Sequence, residues 1–319
     1  MESTVNNEAA LSPERLKEEI LRLKKEKNAI IMAHYYQRDE IQEIADFVGD
    51  SLALARKAAQ TDAAIIVMCG VNFMAQTAKI LCPDRKVLLP KPEAGCSLAD
   101  SCDAGEFEKF IASHPGHTVI SYVNTTAEVK ALTDIVVTSG NALKIVEALP
   151  KDEKIIFGPD RNLGEYISAV TGREMVVWNG ACHVHDRFSI ERILEMKKNH
   201  PGSKILVHPE CRRPLQLIAD KVGSTAALLD FARTDEAAEY IVVTESGILF
   251  EMRRQCPEKK FIAAPAEDAE CQCNECEYMK MNTLENVYTC LRDEKPEMLV
   301  DPELAAKAVR PIERMISMS

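Results

Sequence analysis

Two distant stretches of the sequence repeat each other. HPGHTVISYVN at 114–124 and HPGSKILVHPE at 200–210 both read as a polar turn, a buried strand and polar residues after the strand, and their starts are 86 residues apart. The offset continues past the strand and pairs three further positions: Tyr122 with His208, Asn124 with Glu210, and Ser139 with Thr225. Self-similarity at a fixed spacing strongly constrains the architecture, because each copy should form one structural unit.

A third copy starts at the N-terminal strand NAIIMAHYYQ, residues 28–37. The step from a strand end to the next helix start is 17 residues in every copy: His34 to Ser51, Tyr122 to Ser139, and His208 to Thr225. Strands alternate with helices within each copy, which indicates parallel α/β layers. Solenoid repeats are shorter than these units. We therefore predict an α/β protein of three homologous αβα-layered domains related by a pseudo-threefold axis, with an active site at their central junction.

The repeat also predicts the domain boundaries. We expect three consecutive α/β units with these bounds: 13–105, 106–190 and 191–300. Ser12 and Pro13 form a typical helix start, with an N-cap hydroxyl followed by proline in the first turn. Asp301 and the proline after it have the same pattern. They predict a closing helix over 301–318 that packs back on the first unit.

Each unit contains a cysteine at a similar distance from its strand end. The distances are 62, 60 and 68 residues: His34 to Cys96, Tyr122 to Cys182, and His208 to Cys276. The longer distance in the third unit is explained by an inserted loop, AEDAECQCNE, which carries Cys271 and Cys273. The register therefore selects Cys96, Cys182 and Cys276 as the thiols that meet at a common site.

Polar side chains are expected to gather with these thiols. Ligands of parallel α/β units bind at the carboxyl ends of the strands. The strand-end residues are polar in all three copies: His34, Tyr35, Tyr36, Tyr122, Asn124, His208 and Glu210, with His185 just beyond a later strand. The helix starts at Ser51, Ser139 and Thr225 offer free backbone N–H groups and a positive dipole end, whether or not these residues are also N-caps. This combination predicts an anion-binding chamber.

Three thiolates without an evident fourth ligand indicate a metal site with an open position. Zinc with three protein ligands and a water is one possibility. A four-iron cluster held by three cysteines, with one iron free for substrate, is the other. The residues alone leave both open. A radical-generating cluster is not indicated, because the local run is C-x-C-x2-C rather than C-x3-C-x2-C.

Alternative assignments exist for some of the cysteines. Cys102 competes with Cys96, since both lie in GCSLADSC, but Cys96 directly follows the strand and turn. A zinc knuckle could be built from four residues: Cys271, Cys273, Cys276 and Cys290. It lacks the usual paired C-x2-C arrangement. The pair Cys271 and Cys273 could form a reversible disulfide, and the other cysteines read as core or inert thiols.

Composition excludes several classes of partner. Lys and Arg number 39 against 50 Asp and Glu, which gives a formal net charge of −11. Such a surface would repel nucleic acid and anionic membrane. The N-terminal segment lacks the basic and apolar regions of a signal peptide, and no apolar run is long enough to span a bilayer. We expect a cytoplasmic protein whose 11 cysteines stay reduced, which favours metal binding or catalysis over disulfides.

Motifs along almost the whole chain resemble those of the quinolinate synthases, the iron–sulfur enzymes of de novo NAD synthesis. The matching stretches are AHYYQ, GDSL, GCSLAD, SYVNT, TSGNA, GPDRNLG, WNGACHVH, HPEC, GST, TESG and CEYMKMNTL. The resemblance implies three α/β domains around a central site and a [4Fe–4S] cluster held by Cys96, Cys182 and Cys276. One departure is Glu277, since the family often has proline after the third ligand.

The resemblance also implies a reaction. Iminoaspartate and dihydroxyacetone phosphate would condense to quinolinate, phosphate and water, with an aspartate-oxidising enzyme as the expected supplier of the imine. Glu210 is then the candidate general acid and base, assisted by His208, Tyr36 and Tyr122. Residues expected to orient carboxylate and phosphate oxygens are His34, Ser51, Asn124, Ser139, His185 and Thr225. The alternatives from other classes are an iron–sulfur hydro-lyase acting on a small hydroxy acid and a zinc-binding structural module.

Overall fold

The computed structural model describes residues 11–267 and 274–319. Within them the chain forms three parallel sheets of four strands. The first contains β1 (Ala29–His34), β2 (Phe47–Gly49), β3 (Ile65–Cys69) and β4 (Lys86–Leu88). The second contains β5 (Thr118–Tyr122), β6 (Ile135–Val137), β7 (Ile155–Gly158) and β8 (Met175–Val177). The third contains β9 (Lys204–Val207), β10 (Lys221–Val222), β11 (Glu239–Val243) and β12 (Lys260–Ala263).

Helices connect and cover these strands. In the first unit they are α1 (Pro13–Glu26), α2 (Asp39–Ile44), α3 (Ser51–Gln60), α4 (Asn72–Leu81) and α5 (Ser97–Asp100). The second contains α6 (Ala104–Ala112), α7 (Ala127–Ala131), α8 (Ala142–Ala148) and α9 (Arg161–Thr171). The last third contains α10 (Ile190–Asn199), α11 (Arg213–Leu217), α12 (Thr225–Thr234), α13 (Ile248–Gln255), α14 (Leu284–Asp293) and α15 (Pro302–Met318).

All three sheets have the same strand order, second-first-third-fourth. The first strand of each unit is therefore central, paired in parallel with the second and third strands. Continuous apolar runs such as IIVMC in β3 explain this arrangement, because strands of parallel sheets are buried on both faces. In this strand order, ligands bind at the carboxyl ends where the chain crosses from one side of the first strand to the other.

These sheets confirm the predicted α/β class and the three repeated units. The pseudo-threefold axis and the domain boundaries stay predictions. The two helix starts predicted from Ser-Pro and Asp-Pro are also confirmed: Ser12 caps α1 and Asp301 caps α15. Helix α15 continues through Pro311 and contacts α4 of the first unit as well as α7 and β6 of the second. None of the described helices is long and apolar enough to cross a membrane.

Ser51, Ser139 and Thr225 are not N-caps. The capping side chains are those of Asp50, which accepts from the Ala53 amide at 3.0 Å, and Ser224, which accepts from the Ala227 amide at 3.3 Å. Ser51 and Thr225 are instead the first residues of α3 and α12. Ser139 lies in the turn before α8, which begins only at Ala142. An N-cap needs extended backbone, and Asp50 and Ser224 supply it.

The first and third units approach each other closely at Gly247. A Cβ atom there would lie 2.8 Å from the Tyr36 backbone, which is far inside van der Waals contact. We expect Gly247→Ala to lower the free energy of unfolding by about 1–3 kcal/mol, because the backbone of the strand-end loop must shift. Chemical denaturation measures this. Gly202→Ala is the control, since its Cβ meets no atom within 4 Å. Equal stability of the two variants would contradict the close approach.

Candidate active site

One cavity of about 60 Å³ receives the ends of all three central strands. Nearly every residue predicted from sequence lines it: His34, Tyr36, Ser51, Cys96, Tyr122, Asn124, Cys182, His185, His208, Glu210, Thr225 and Cys276. Ser139 does not line the cavity, but its hydroxyl interacts with the Tyr122 side chain. The parallel sheets explain the convergence, because polar residues that follow buried strands emerge at the same edge.

A larger open groove of about 780 Å³ lies elsewhere, on the second unit near the starts of β7 and β8. Its lining includes surface residues such as Lys151, Arg173 and Glu174. The guanidinium of Arg173 is already bonded to backbone carbonyls, including that of Val146 at 2.9 Å. Ligands of parallel sheets bind at the opposite ends of the strands, so the central cavity is the candidate site.

The first and third units present their histidines in the same way. The Tyr36 amide donates to Nδ1 of His34 at 3.1 Å, and the Glu210 amide donates to Nδ1 of His208 at 3.3 Å. In each neutral ring Nδ1 is therefore the acceptor and Nε2 carries the proton. Burial lowers the pKa of His34 and of His208 to about 3. Both rings are consequently neutral hydrogen-bond donors near neutral pH.

Glu210 is the charged centre of the cavity. The Tyr122 hydroxyl donates to its Oε1 at 2.5 Å, and Nδ1 of His185 lies 3.2 Å from its Oε2. Burial by itself would raise the pKa of Glu210, but the neighbouring His185 imidazole and the Tyr122 hydroxyl, which both hydrogen-bond to the carboxylate, lower it. The carboxyl group is therefore ionised near neutral pH and can accept a proton from a substrate.

A chain of hydrogen bonds leads to this carboxylate from the other side of the cavity. The Tyr36 hydroxyl lies 2.8 Å from that of Thr225 and 2.7 Å from that of Thr244. Thr244 in turn lies 2.9 Å from Nε2 of His185. Since a carboxylate only accepts, His185 donates from Nδ1 and accepts at Nε2. Every donor in the chain is then oriented toward Glu210. Burial raises the pKa of Tyr36, which keeps it protonated.

The three predicted cysteines share one local structure. Each is followed by a single helical turn in which the amide four residues later donates to the cysteine carbonyl: Asp100 to Cys96 at 2.9 Å, Asp186 to Cys182 at 2.9 Å, and Lys280 to Cys276 at 3.1 Å. Backbone amides of the same turns also reach the sulfur atoms. Free N–H groups at the start of a helical turn stabilise negative charge, so these turns suit metal-bound thiolates.

Burial opposes ionisation of these thiols when no metal is bound. It raises the pKa of Cys96 to about 12 and that of Cys276 to about 11, and it also raises the pKa of Cys182. A partly buried thiol of this kind ionises when a metal takes the place of its proton. The donor set fits a metal that prefers thiolates.

A second donor set overlaps with the first. Cys182, His185 and Glu210 place one ligand atom each within 4.8 Å of one another, and Nδ1 of His185 lies 3.3 Å from the Cys182 sulfur. In the part of the chain that the structure describes, no other group of three such residues meets this distance. Cys96 and Cys276 line the same cavity but are not part of this close group.

The other cysteine assignments receive less support. Cys102 is buried in a core cluster with Phe107 and does not line the cavity. Cys290 is buried in a different cluster, beside Val287 and Leu291. Cys271 and Cys273 lie outside the described residues, so the alternative of a reversible disulfide between them stays untested.

Several residues around the cavity were not predicted from sequence. The Asp160 carboxylate accepts from the Cys182 amide at 3.3 Å, and the Glu245 carboxylate accepts from the Cys276 amide at 3.1 Å. Glu245 also pairs with Lys280 at 2.9 Å, whose ammonium donates to the Tyr36 carbonyl at 2.8 Å. Asp160 follows the strand β7 and caps α9, which is a recognisable helix-start signal. Thr244 and Glu245 directly follow β11, so the strand-end criterion applied to that strand would have found them.

The fold and the cavity define an α/β enzyme whose active site joins partly buried thiols with a carboxylate and neutral imidazoles. Comparison with known protein families shows to which family this enzyme belongs. The family model described as quinolinate synthetase A protein matches residues 18–317, and the chain belongs to this family of enzymes. The resemblance noted in the sequence motifs is thereby confirmed.

Individual relatives agree with this family assignment. The quinolinate synthase of Synechococcus sp. is 54% identical over 307 residues, which cover 96% of each chain. That of Thermosynechococcus vestitus is 54% identical over 297 residues, 93% of each chain. That of Chloroherpeton thalassium is 52% identical over 309 residues, 97% of this chain and 96% of the relative. The similarity therefore extends across the three units.

Proposed function

We propose that this enzyme condenses iminoaspartate with dihydroxyacetone phosphate to give quinolinate, phosphate and two molecules of water. The observation that carries the proposal is the convergence of three strand ends and three cysteines on one cavity around the ionised Glu210. Carbon–carbon bond formation, ring closure and dehydration all require proton transfers. A buried carboxylate bonded to a tyrosine hydroxyl and an imidazole can accept and return those protons.

The substrates carry carboxylate and phosphate groups, and the cavity has donors for them. Ser51 and Thr225 are the first residues of α3 and α12, where backbone N–H groups and the helix dipole attract anions. The neutral His34 and His208 rings add Nε2–H donors. In contrast, Oδ1 of Asn124 is buried without a hydrogen-bond partner among the described residues. A substrate hydroxyl or imine N–H is a suitable partner for that acceptor.

The thiols fit a [4Fe–4S] cluster bound by Cys96, Cys182 and Cys276 better than a single zinc ion. Zinc–sulfur bonds of about 2.3 Å in a tetrahedron would hold three sulfurs about 3.8 Å apart. The three cysteines do not form a group within 4.8 Å among the described residues, and a cluster requires wider spacing. When bound, such a cluster supplies a Lewis-acidic iron to the substrate. Asp160 and Glu245 hold the Cys182 and Cys276 loops through their backbone amides.

The cavity must enlarge for the substrates to enter. A volume of about 60 Å³ accommodates only a few water molecules. We infer that one of the three units moves to admit substrate and then closes, which protects the unstable imine from water. The bounds proposed for these units are 13–105, 106–190 and 191–300. We further propose a cytoplasmic location and an aspartate-oxidising enzyme as the source of the imine.

A direct assay tests the proposed reaction. Protein purified without oxygen and loaded with iron and sulfide is mixed with dihydroxyacetone phosphate and freshly generated iminoaspartate. We expect quinolinate to form, detected by mass spectrometry, and no quinolinate with zinc-loaded protein. A brown protein that dehydrates small hydroxy acids but produces no quinolinate would favour the hydro-lyase alternative. A colourless protein with tightly bound zinc would contradict the cluster.

A further inference from the structure

One side-chain contact is repeated in all three units. The fourth residue of the helix after each central strand donates to two backbone carbonyls of the loop that precedes this helix. The six bonds are Gln42 Nε2 to Tyr35 O at 3.1 Å and Gln37 O at 3.0 Å, Lys130 Nζ to Val123 O at 2.8 Å and Thr125 O at 2.5 Å, and Gln216 Nε2 to Pro209 O at 2.9 Å and Cys211 O at 2.7 Å. Gln42 Nε2 also lies 2.9 Å from the Gly247 carbonyl of the third unit. We call these three donors the clamp residues.

The spacing of the contact is constant. Each clamp residue lies eight positions after the strand-end residue of its unit, which is His34, Tyr122 or His208. The two residues whose carbonyls it binds lie one and three positions after the same strand-end residue. The residue between the two carbonyls lies at position two in every unit: Tyr36, Asn124 and Glu210. All three of these residues line the central cavity. In each unit the clamp residue therefore hydrogen-bonds to the backbone on both sides of one cavity residue.

Lys130 shows that the second-unit clamp is not an incidental contact. Its side chain is fully buried, and no carboxylate of the described residues lies within ion-pair distance of it. Burial of an amino group without hydrogen-bond partners is costly, so its partners must satisfy its N–H donors. They are the two loop carbonyls and, at 3.4 Å, the Thr125 hydroxyl. All of its hydrogen-bond partners therefore belong to the loop that carries Asn124.

The loop itself has a tight turn at this residue. The Thr125 amide donates to the Val123 carbonyl at 2.8 Å, which closes a three-residue turn with Asn124 in the middle. The Asn124 side chain ends in the buried, unpartnered Oδ1 atom. A turn of this size has little support of its own, and Lys130 binds the carbonyls on both of its sides.

We propose that Gln42, Lys130 and Gln216 are positioning residues that fix Tyr36, Asn124 and Glu210 for the reaction. This inference rests on the proposed function. A displacement of about 1 Å at a reacting group can reduce the rate about 100-fold. The same geometry is achieved with an amide in two units and an ammonium in one. The donor, rather than its charge, is therefore the essential feature of the clamp.

The Lys130 side chain offers a direct test. Lys130→Met keeps the length and removes the donor, whereas Lys130→Gln installs the donor that the other two units use. Lys259→Met is the matched control, since the Lys259 ammonium also binds two backbone carbonyls, of Ala232 and Asp235 at 2.6 Å each, away from the cavity. The cluster-loaded proteins are compared by kcat/KM, cluster absorbance, quinolinate affinity and hydrogen exchange of the 122–126 backbone.

We expect Lys130→Met to lower kcat/KM about 100-fold and to accelerate exchange at 122–126, with the cluster absorbance retained. Lys130→Gln should recover at least a tenth of the wild-type kcat/KM, and Lys259→Met should match the wild type. If Lys130→Gln is as defective as Lys130→Met, or if Lys130→Met is fully active, the clamp proposal is wrong. Should Lys130→Met fail to fold, Gln216→Met makes the same test on Glu210.

The two proposals can fail separately. If the wild-type protein produces no quinolinate, the proposed function is wrong, and hydrogen exchange still decides whether Lys130 holds the loop. If the wild-type protein is active and Lys130→Met exchanges hydrogen at 122–126 at the wild-type rate, the proposed function is supported and the clamp proposal is wrong.

Discussion

Glu210→Gln is expected to lower kcat about 1,000-fold, within the range for loss of a general acid–base group. The amide keeps the size of the side chain and can still accept from the Tyr122 hydroxyl, which lies 2.5 Å from the carboxylate. It cannot take up a proton, and it removes the negative charge that the hydrogen bond from His185 stabilises. The measurement is the steady-state rate of quinolinate formation, accompanied by the dissociation constant for quinolinate, which should change little.

Glu251→Gln is the control for this prediction. Glu251 is also a buried carboxylate, but it pairs with Arg254 at 2.9 Å and does not line the central cavity. Its replacement should leave kcat within about twofold of the wild type, as for a group that contacts no substrate. Near-normal turnover of Glu210→Gln, with normal cluster absorbance, would show that the proton acceptor is another group.

Cys276→Ala is expected to abolish the broad visible absorbance of the iron–sulfur cluster and all detectable turnover. The three cysteines occupy equivalent helical turns on one cavity, so removal of one leaves a cluster iron without its protein ligand. The change should also leave the fold intact, because the side chain is only partly buried and lines the cavity. Iron content per chain and circular dichroism measure the two effects.

Two kinds of control accompany the Cys276 variant. Cys290→Ala removes a thiol that is buried in the core, and it should retain the cluster while losing some stability. Cys271→Ala and Cys273→Ala should also retain it. Loss of absorbance in either of the last two variants, with a normal spectrum for Cys276→Ala, would overturn the ligand assignment.

The cavity residues could be predicted from sequence because the repeat aligns equivalent strand ends of the three units, and parallel sheets bind ligands at the carboxyl ends of their strands. A fixed offset aligned His34, Tyr122 and His208, and carboxyl ends of central strands carry the ligand sites. The cysteines followed the same register although each lies at least 60 residues from its strand end. The fold class required only the alternation of buried strands and helices.

Other features depend on side-chain reach and could not be predicted in this way. Glu245 and Asp160 act on cysteine loops that are distant in sequence, so no local pattern connects them. The clamp residues could not be recognised as equivalent from the sequence, because Lys130 occupies the position at which the other two units have glutamine. Ser51 and Thr225 are residue types that are favourable as N-caps, but Asp50 and Ser224 directly precede them and cap the two helices.

The central claim is that three distant cysteines bind one iron–sulfur cluster beside Glu210. A crystal structure determined without oxygen, with quinolinate bound, tests it most directly. We expect the sulfurs of Cys96, Cys182 and Cys276 each to bind a different iron of one cluster at about 2.3 Å, a typical metal–thiolate distance, with quinolinate between the remaining iron and Glu210. A cluster held by other cysteines, or a single zinc ion at the three sulfurs, would contradict it.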